Sequence, residues 1–463
     1  MNTRIHQYRP LTQNDIEEIH RATMEVLSET GFEVHQPEAF ELFKKVADSV
    51  DEENKIIKIN EKTIKEIIST APSTVTLYGR DEKHDCRLGS GEVYFGTGGT
   101  ALNMLDFGEK ESRIACLKDL ENVIRIVDKM DYIDICLLPT YPSELDVEEV
   151  DINRFKAGLT YTNKHVMGGV YTSKGIDEVI RLAEKAAGSP EALRERPFIS
   201  IITCGISPLR LDYEYGTFMM QVAKEGIPLA VPVEPLCGGT APMSLAGTLV
   251  IQNCDALINV MLTQLVNPGT PVIYGCVASC MDMRSFCYLG APVESGMINA
   301  ATAQLTHYYG IPYYATAGIS DSKTLDVQCG YESAVNNMLV GLAGADFIHD
   351  AAGLMEFAFT VSLEKLVIDN EIIGMVKRAI KGINVSEKTL CLDEIKTKGP
   401  GGNFLTSRST RKFMRTNHYL PTLSDRLERS LWIEEGHKSA DQRAHEIVTR
   451  ILNEKPKKYL SSD

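Results

Sequence analysis

Positive charge is scarce in this chain: 48 Lys and Arg stand against 63 Asp and Glu over 463 residues, a formal net charge of −15. A nucleic-acid partner needs a basic surplus gathered on one face to neutralise phosphates, so that class is excluded. The opening MNTRIHQYRPLTQNDIEEIH has no apolar core of a leader, and no run approaching 18 uncharged apolar residues of spanning character follows. Neither export nor a membrane span is therefore expected, and a cytoplasmic location is. Eleven cysteines contain no CxxC pair and read as reduced interior thiols. The tightest group, Cys276, Cys280 and Cys287, has no fourth ligand of suitable spacing, so core packing is expected there and no metal. There is no G-x-S-x-G elbow, and neither Ser207 nor Cys204 has an assignable histidine, which removes a nucleophilic triad. GTGGT at Gly96 to Thr100 and GPGGN at Gly399 to Asn403 are not G-x-G-x-x-G and do not sit as a dinucleotide turn requires.

What the chain has is an ordinary globular composition, 43% hydrophobic and 24% charged, in a length that suits a barrel of roughly 250 residues with extensions. Residues 1–90 read as an N-terminal helical extension rather than a sheet. Thr12, three residues before Asp15, makes a variant capping box ahead of an amphipathic stretch to about residue 30, and helical patterns recur near 36–47 and 61–70. From Gly91 short apolar runs alternate with helical stretches. The runs are Glu92 to Gly96, Ile133 to Pro139, His165 to Val170, Phe198 to Gly205, Pro228 to Glu234, Pro271 to Ala278, Pro312 to Gly318 and Ala345 to His349. Helices are expected near 117–130, 144–161, 175–187, 212–225, 241–266, 295–309, 331–343 and 360–380. In the first of these, Leu117, Leu120, Ile124 and Val127 share one face.

Strands apolar on both faces, alternating with helices, call for a buried parallel sheet, and eight units are the number that closes a barrel. The expected fold is thus an α/β protein, a (β/α)8 TIM barrel over 91–385, with a C-terminal helical appendage of one or two helices over 386–463. An open doubly wound sheet is the alternative, since alternation alone does not join the first strand to the eighth.

In a barrel the strand tails face the site. They offer Tyr94, Phe95 and the glycines 96, 98 and 99; Tyr141; Gly168, Gly169 and Tyr171; Glu234; Tyr313 and Tyr314; then His349, Asp350, Glu356, Phe357 and Phe359. No strand tail carries a lysine, and Lys164 sits at the start of its strand, so a Schiff-base aldolase lacks its key residue. Aromatic rings with a few acids suit a quaternary ammonium, which has no hydrogen-bond donor and is held by ring faces. Taken singly, each ring is more often core than cage. Asp346-Phe-Ile-His349-Asp-Ala-Ala-Gly353 differs from the D-x-H-x-x-G pattern of cobalamin-binding domains by an extra residue in both gaps.

Five blocks carry a wider likeness: LYGRD from Leu77, VYFGTGGTALNMLD from Val93, GAPVESGMINAATAQL from Gly290, GADFIHDAAGLME from Gly344 and GPGGNFL from Gly399. In order and spacing, over about residues 9–435, the chain resembles the trimethylamine methyltransferase superfamily. Founding members carry pyrrolysine after the last strand; here that segment reads Leu354-Met355-Glu356-Phe357-Ala358-Phe359. The resemblance is therefore to the branch without pyrrolysine. It implies SN2 transfer of a methyl group from a quaternary amine of the glycine betaine, proline betaine or carnitine type to the Co(I) of a corrinoid (cobalamin) presented by a cognate partner protein, with no cofactor held permanently. On this reading Tyr94, Phe95, Tyr171, Phe357 and Phe359 bind substrate, Glu234 is a distant counter-charge, and His349, oriented by Asp350, holds a betaine carboxylate. Another barrel methyltransferase or lyase, or a betaine-binding module without chemistry, are the rival readings. The oligomeric state stays open, a homodimer being one option.

Overall fold

The computed structural model describes residues 7–460. Residues 1–6 and 461–463, included in the expected extensions, lie outside that range.

Eight apolar runs become eight parallel strands: β1 (Tyr94–Thr97), β2 (Ile135–Leu137), β3 (His165–Gly169), β4 (Ile199–Ile202), β5 (Leu229–Val233), β6 (Val272–Cys276), β7 (Tyr313–Thr316) and β8 (Phe347–Ala352). They pair in sequence order and close, with Tyr94 opposite Phe347 and Phe95 opposite Ile348 joining the first strand to the last. The open-sheet alternative is thereby removed. Between strands run the helices α1 (Leu117–Lys129), α2 (Val147–Tyr161), α3 (Ser173–Ala187), α4 (Tyr213–Glu225), α5 (Leu245–Val266), α6 (Val293–Tyr309) and α7 (Val327–Ala343), and α8 (Leu363–Ile380) follows the last strand.

The helices form because each turns an apolar face to the sheet. In α1 the side chains of Leu120, Ile124 and Val127 are wholly buried, each contributing roughly 1.5–3 kcal/mol by leaving water. α5 is long and apolar enough by composition to cross a membrane, yet 72% of its most apolar window is buried inside the protein. The helix contains Asp255, so it is not an uncharged run, and it is a helix of the barrel layer.

Within the barrel, Ile135, Leu137, Met167, Ile202, Ala230, Ile273, Tyr314 and Phe347 form one cluster with Val75, Leu77, Cys86 and Leu88. The last four belong to a hairpin, Val75–Leu77 with Cys86–Leu88, packed on the N-terminal end of the strands. The foot of the barrel is therefore plugged and only the mouth is open to chemistry. Lys164 is fixed near this foot, its ammonium donating to the carbonyls of Val127, Met130 and Ile133 at 2.7, 2.6 and 2.6 Å.

The N-terminal segment contains the expected helices Gln13–Glu25, Pro37–Lys44 and Glu61–Ile68, the first with the Thr12–Asp15 capping box. It also holds strands that the periodicity missed. Phe32–Val34 lies between Ile56–Lys58 and Arg210–Leu211, and Ser49–Asp51 is at the edge. Three residues are too few for alternation to register as a strand. The appendage is richer than one or two helices. It has Glu387–Leu390, Leu392–Lys398, Arg408–Phe413, Arg429–Glu434 and Ala440–Asn453, of which only the last buries residues, Ala444, Val448 and Ile451.

Candidate active site

The tails of β4, β5 and β8 and the strand Cys287–Leu289, returning after β6, meet at the mouth. His349 is the pivot. Its ring stacks on Tyr314 with centroids 4.2 Å apart and planes at 25°. Nε2 lies 2.8 Å from the Asp350 carboxylate, and Nδ1 lies 2.9 Å from the Ala315 carbonyl and 3.0 Å from Thr316 Oγ1. The Thr316 hydroxyl in turn reaches the Cys276 carbonyl at 3.0 Å, so both imidazole nitrogens are engaged within the chain. A betaine carboxylate finds no free donor on this ring. That corrects the expected role: His349 anchors Asp350 instead of presenting itself to substrate.

Asp350 adopts a left-handed backbone, φ 58°, uncommon outside glycine and a mark of local constraint. Its Oδ1 accepts the Gly99 amide at 2.7 Å. The glycines after β1 make this approach feasible, because a Cβ on Gly98 would fall 2.1 Å from Leu354 and 2.7 Å from Asp350.

Glu234 and Cys204 sit at strand tails yet present accessible surface, as side chains lining a chamber do. Burial pushes the Glu234 carboxyl above the usual range; a Tyr288 hydrogen bond pulls it down, Asp350 pushes it up and His349 pulls it down. The same four groups are thus mutually close. Burial, with Glu234 and then Asp350, pushes the Cys204 thiol up to about 12, which keeps it protonated and poorly nucleophilic. Burial and Glu234 raise the Tyr288 phenol as well. Tyr215, raised to about 12 by burial and then by Cys204, extends the ring wall toward Tyr171.

Tyr171 meets Tyr141 edge to face at 5.1 Å, and the Arg154 guanidinium lies 5.5 Å from the Tyr171 ring. Arg154 is fully buried. It donates to the carbonyls of Leu138, Thr140 and Gly169 and to Thr100 Oγ1, at 2.7 to 3.2 Å, lacing the tails of β2 and β3 to the loop after β1. The rigidity of the Tyr141–Tyr171 wall follows from that lacing.

The structure thus brings together Glu234, His349 and Asp350, with Tyr171 in the adjoining wall, and separates the other expected residues from them. Tyr94 points into the barrel but at its foot, against the plugging hairpin, its hydroxyl 3.2 Å from Glu92. Phe95 points outward into the helix layer beside Gly341, with Lys377 over its ring at 5.6 Å. Neither reaches the mouth, because the lumen-facing residue of β1 at the mouth end is Gly96, where a Cβ would strike the Phe347 ring at 2.7 Å. Phe357 stands at the rim with one face already taken by the Lys323 ammonium, 4.0 Å from the ring centroid. Glu356, Phe357 and Ala358 form a left-handed run, φ 51°, 61° and 72°. Phe359 is exposed, and its carbonyl holds the Leu102 and Asn103 amides. Tyr288, Tyr215 and Cys204 are lining groups that sequence reasoning did not assign. For Tyr288 the only signal was a polar aromatic two residues before the block that begins at Gly290. Among the described residues no three His, Cys, Asp or Glu are grouped to hold a metal; Cys276 and Cys280 are buried and Cys287 is exposed.

Comparison with known proteins finds relatives over nearly the whole chain. The family model described as trimethylamine methyltransferase (MTTB) matches residues 1–463. A trimethylamine methyltransferase MttB of Desulfitobacterium hafniense (strain DSM 10664 / DCB-2) is 36% identical over 435 residues, covering 94% of this chain and 87% of that protein. A glycine betaine methyltransferase of D. hafniense (strain Y51) is 31% identical over 450 residues, covering 96% and 92%. The solved monomethylamine methyltransferase of Methanosarcina barkeri superposes with a TM-score of 0.49 at 12% identity, over 97% of this chain and 96% of its own.

Proposed function

The chain belongs to the trimethylamine methyltransferase family and is a methyltransferase. From that footing we propose that it takes a methyl group from a quaternary amine of the betaine type and passes it to a corrinoid carried by a separate protein. The observation that carries the reading is the mouth itself: the accessible Glu234 carboxylate beside Tyr288, with the Tyr141–Tyr171 pair in the adjoining wall. Ring faces and the Glu234 carboxylate suit a cation that has no donor to offer.

The chemistry asks for no acid or base of its own. A quaternary amine that loses a methyl group leaves as a neutral tertiary amine. This accords with a histidine whose nitrogens are both engaged and a thiol held protonated. The corrinoid, the second substrate, supplies the nucleophilic cobalt that accepts the methyl group. The residues in hand suit its arrival from outside, since His349, the one histidine of the segment that approaches a cobalamin-binding pattern, is held within the chain and is not free as a ligand. The chamber's task is then to hold one N-methyl group toward the mouth and keep water away, an alignment worth roughly 7–11 kcal/mol at its best. Binding the cation too firmly would stabilise the state whose charge is lost, so ring contacts of moderate strength serve the rate better than tight ones. Eleven unpaired cysteines suit a reducing compartment, in line with a cytoplasmic setting.

The test is a substrate panel. Glycine betaine, proline betaine, carnitine and trimethylamine are each mixed with reduced corrinoid protein and followed by the corrinoid absorbance. Transfer from at least one quaternary amine, with none or less from trimethylamine, is expected. Transfer from trimethylamine alone would overturn the substrate class, and binding without transfer would leave only a betaine-binding module.

A further inference from the structure

Between α8 and the final helix the chain makes an excursion whose helices, Glu387–Leu390, Leu392–Lys398, Arg408–Phe413 and Arg429–Glu434, bury no residue. Helices of four to seven residues do not persist on propensity alone, so packing must fix them. The side chains able to do this face outward. Ile383 and Leu405 are 80% and 79% exposed, and Val385, Leu390, Leu392 and Met414 are more than half exposed. Apolar surface on this scale marks an interface. The arm is no loose tail, because it continues from α8 at one end and its far end, Asn417–Thr422, is tied back to α8. The Arg378 guanidinium donates to the Asn417 carbonyl at 3.0 and 2.7 Å, and Glu371 accepts the Tyr419 hydroxyl at 3.1 Å and the Thr422 amide at 3.0 Å.

Its charge is also opposite to that of the molecule. Residues 386–418 carry seven Lys and Arg against three Asp and Glu, in a chain of net charge −15. A second apolar surface lies unpartnered on the barrel itself: Val327, Tyr331 and Val335, spaced by four along α7, form an exposed stripe, Val327 being 83% exposed. The arm leaves α8 at its C-terminal end, toward the barrel foot, whereas the stripe starts at the N-terminal end of α7, beside the mouth. A two-fold axis perpendicular to the barrel axes brings one copy's foot to the other's mouth, and so arm to stripe, twice.

We infer that the partner of this arm is a second copy of the same chain, the basic, apolar arm of one protomer lying over the α7 stripe of an acidic neighbour. The full-length protein is therefore a dimer in solution whose stability falls with added salt, as attraction between exposed charges does. Light scattering after size exclusion reads the mass. Leu392→Ser with Leu405→Ser, and separately Tyr331→Glu with Val335→Glu, are each expected to halve it without altering the circular dichroism spectrum. An equal mixture of the two double variants regains dimer, since each such pair retains one intact arm and one intact stripe. Lysine cross-linking of mixed isotope-labelled chains is expected to join Lys396, Lys398 or Lys412 of one copy to Lys323 of the other. A wild-type protein that is monomeric at micromolar concentration, a dimer indifferent to both double variants, or arm cross-links confined to single chains would overturn the inference.

Discussion

Replacing Tyr288 by Phe tests the electrostatics of the chamber with its ring wall left in place. Glu234 is raised by burial and by Asp350 and held down by the Tyr288 hydroxyl and by His349. A hydrogen bond to an ionised group contributes roughly 1.5–3 kcal/mol, and about 1.4 kcal/mol corresponds to one pH unit. If the Glu234 carboxylate offsets the substrate cation, affinity falls as pH drops and this group takes up its proton. Without the Tyr288 hydroxyl the neutral carboxyl is favoured, so the fall begins at higher pH, by about one to two pH units. Calorimetric titration of glycine betaine into wild type and Tyr288→Phe, over about pH 5 to 9, reads the displacement. Because the phenyl ring remains, contacts with the ring face are kept and the change isolates the hydroxyl. A midpoint that stays put or moves to lower pH would refute the reasoning. Glu234→Gln is the companion, expected to bind more weakly with the pH-dependent part gone.

Four further outcomes are expected. Asp369→Ala leaves the Lys365 ammonium, fully buried and 2.6 Å from that carboxylate, without its counter-charge, costing about 3–5 kcal/mol in urea unfolding. Asp255, buried beneath Ser207, is raised from 3.8 to about 7, so the folded state holds its proton more tightly than the unfolded one. Its contribution is full below about pH 4 and is lost as pH rises through about 7; Asp255→Asn, whose side chain stays neutral, should gain on wild type across that window in unfolding measured at a series of pH values, and a flat difference would contradict this. Gly98→Ala introduces a methyl that has no space against Leu354 and Asp350, so a loss of about 1–3 kcal/mol in thermal unfolding, accompanied by loss of methyl transfer, is expected. Met283→Asp with Phe286→Asp, on the exposed tip of the hairpin that carries Tyr288, should slow transfer to the corrinoid protein while leaving amine affinity as it is, as separate titration and rate measurements would read.

Periodicity made the barrel legible. Every barrel strand overlaps an apolar run and every barrel helix an amphipathic or apolar stretch, because burial on both faces imposes those patterns. The strand tails were legible as positions but not as directions. A shift of one residue reverses a side chain's face, and this separates Tyr313, directed to Asn299 in the helix layer, from Tyr314, stacked on His349 inside. In β1 the same parity sends Phe95 outward and leaves glycine at the mouth, so the two aromatics expected there contribute elsewhere. Which way a histidine's protons point depends on partners distant in sequence, Ala315, Thr316 and Asp350 here, and no local pattern encodes them. Tyr288 comes over the mouth on a returning hairpin, a placement that arises from tertiary pairing of Ser279–Asp282 with Cys287–Leu289 and leaves no periodic trace.

A crystal structure of the protein with glycine betaine bound tests most directly that this mouth chamber is where a quaternary amine is held. The trimethylammonium group is predicted to lie against Tyr288, within reach of the Glu234 carboxylate, with one methyl directed to the open mouth. Ligand found only at the barrel foot beside Tyr94, or on the outer surface with the chamber empty, would contradict it.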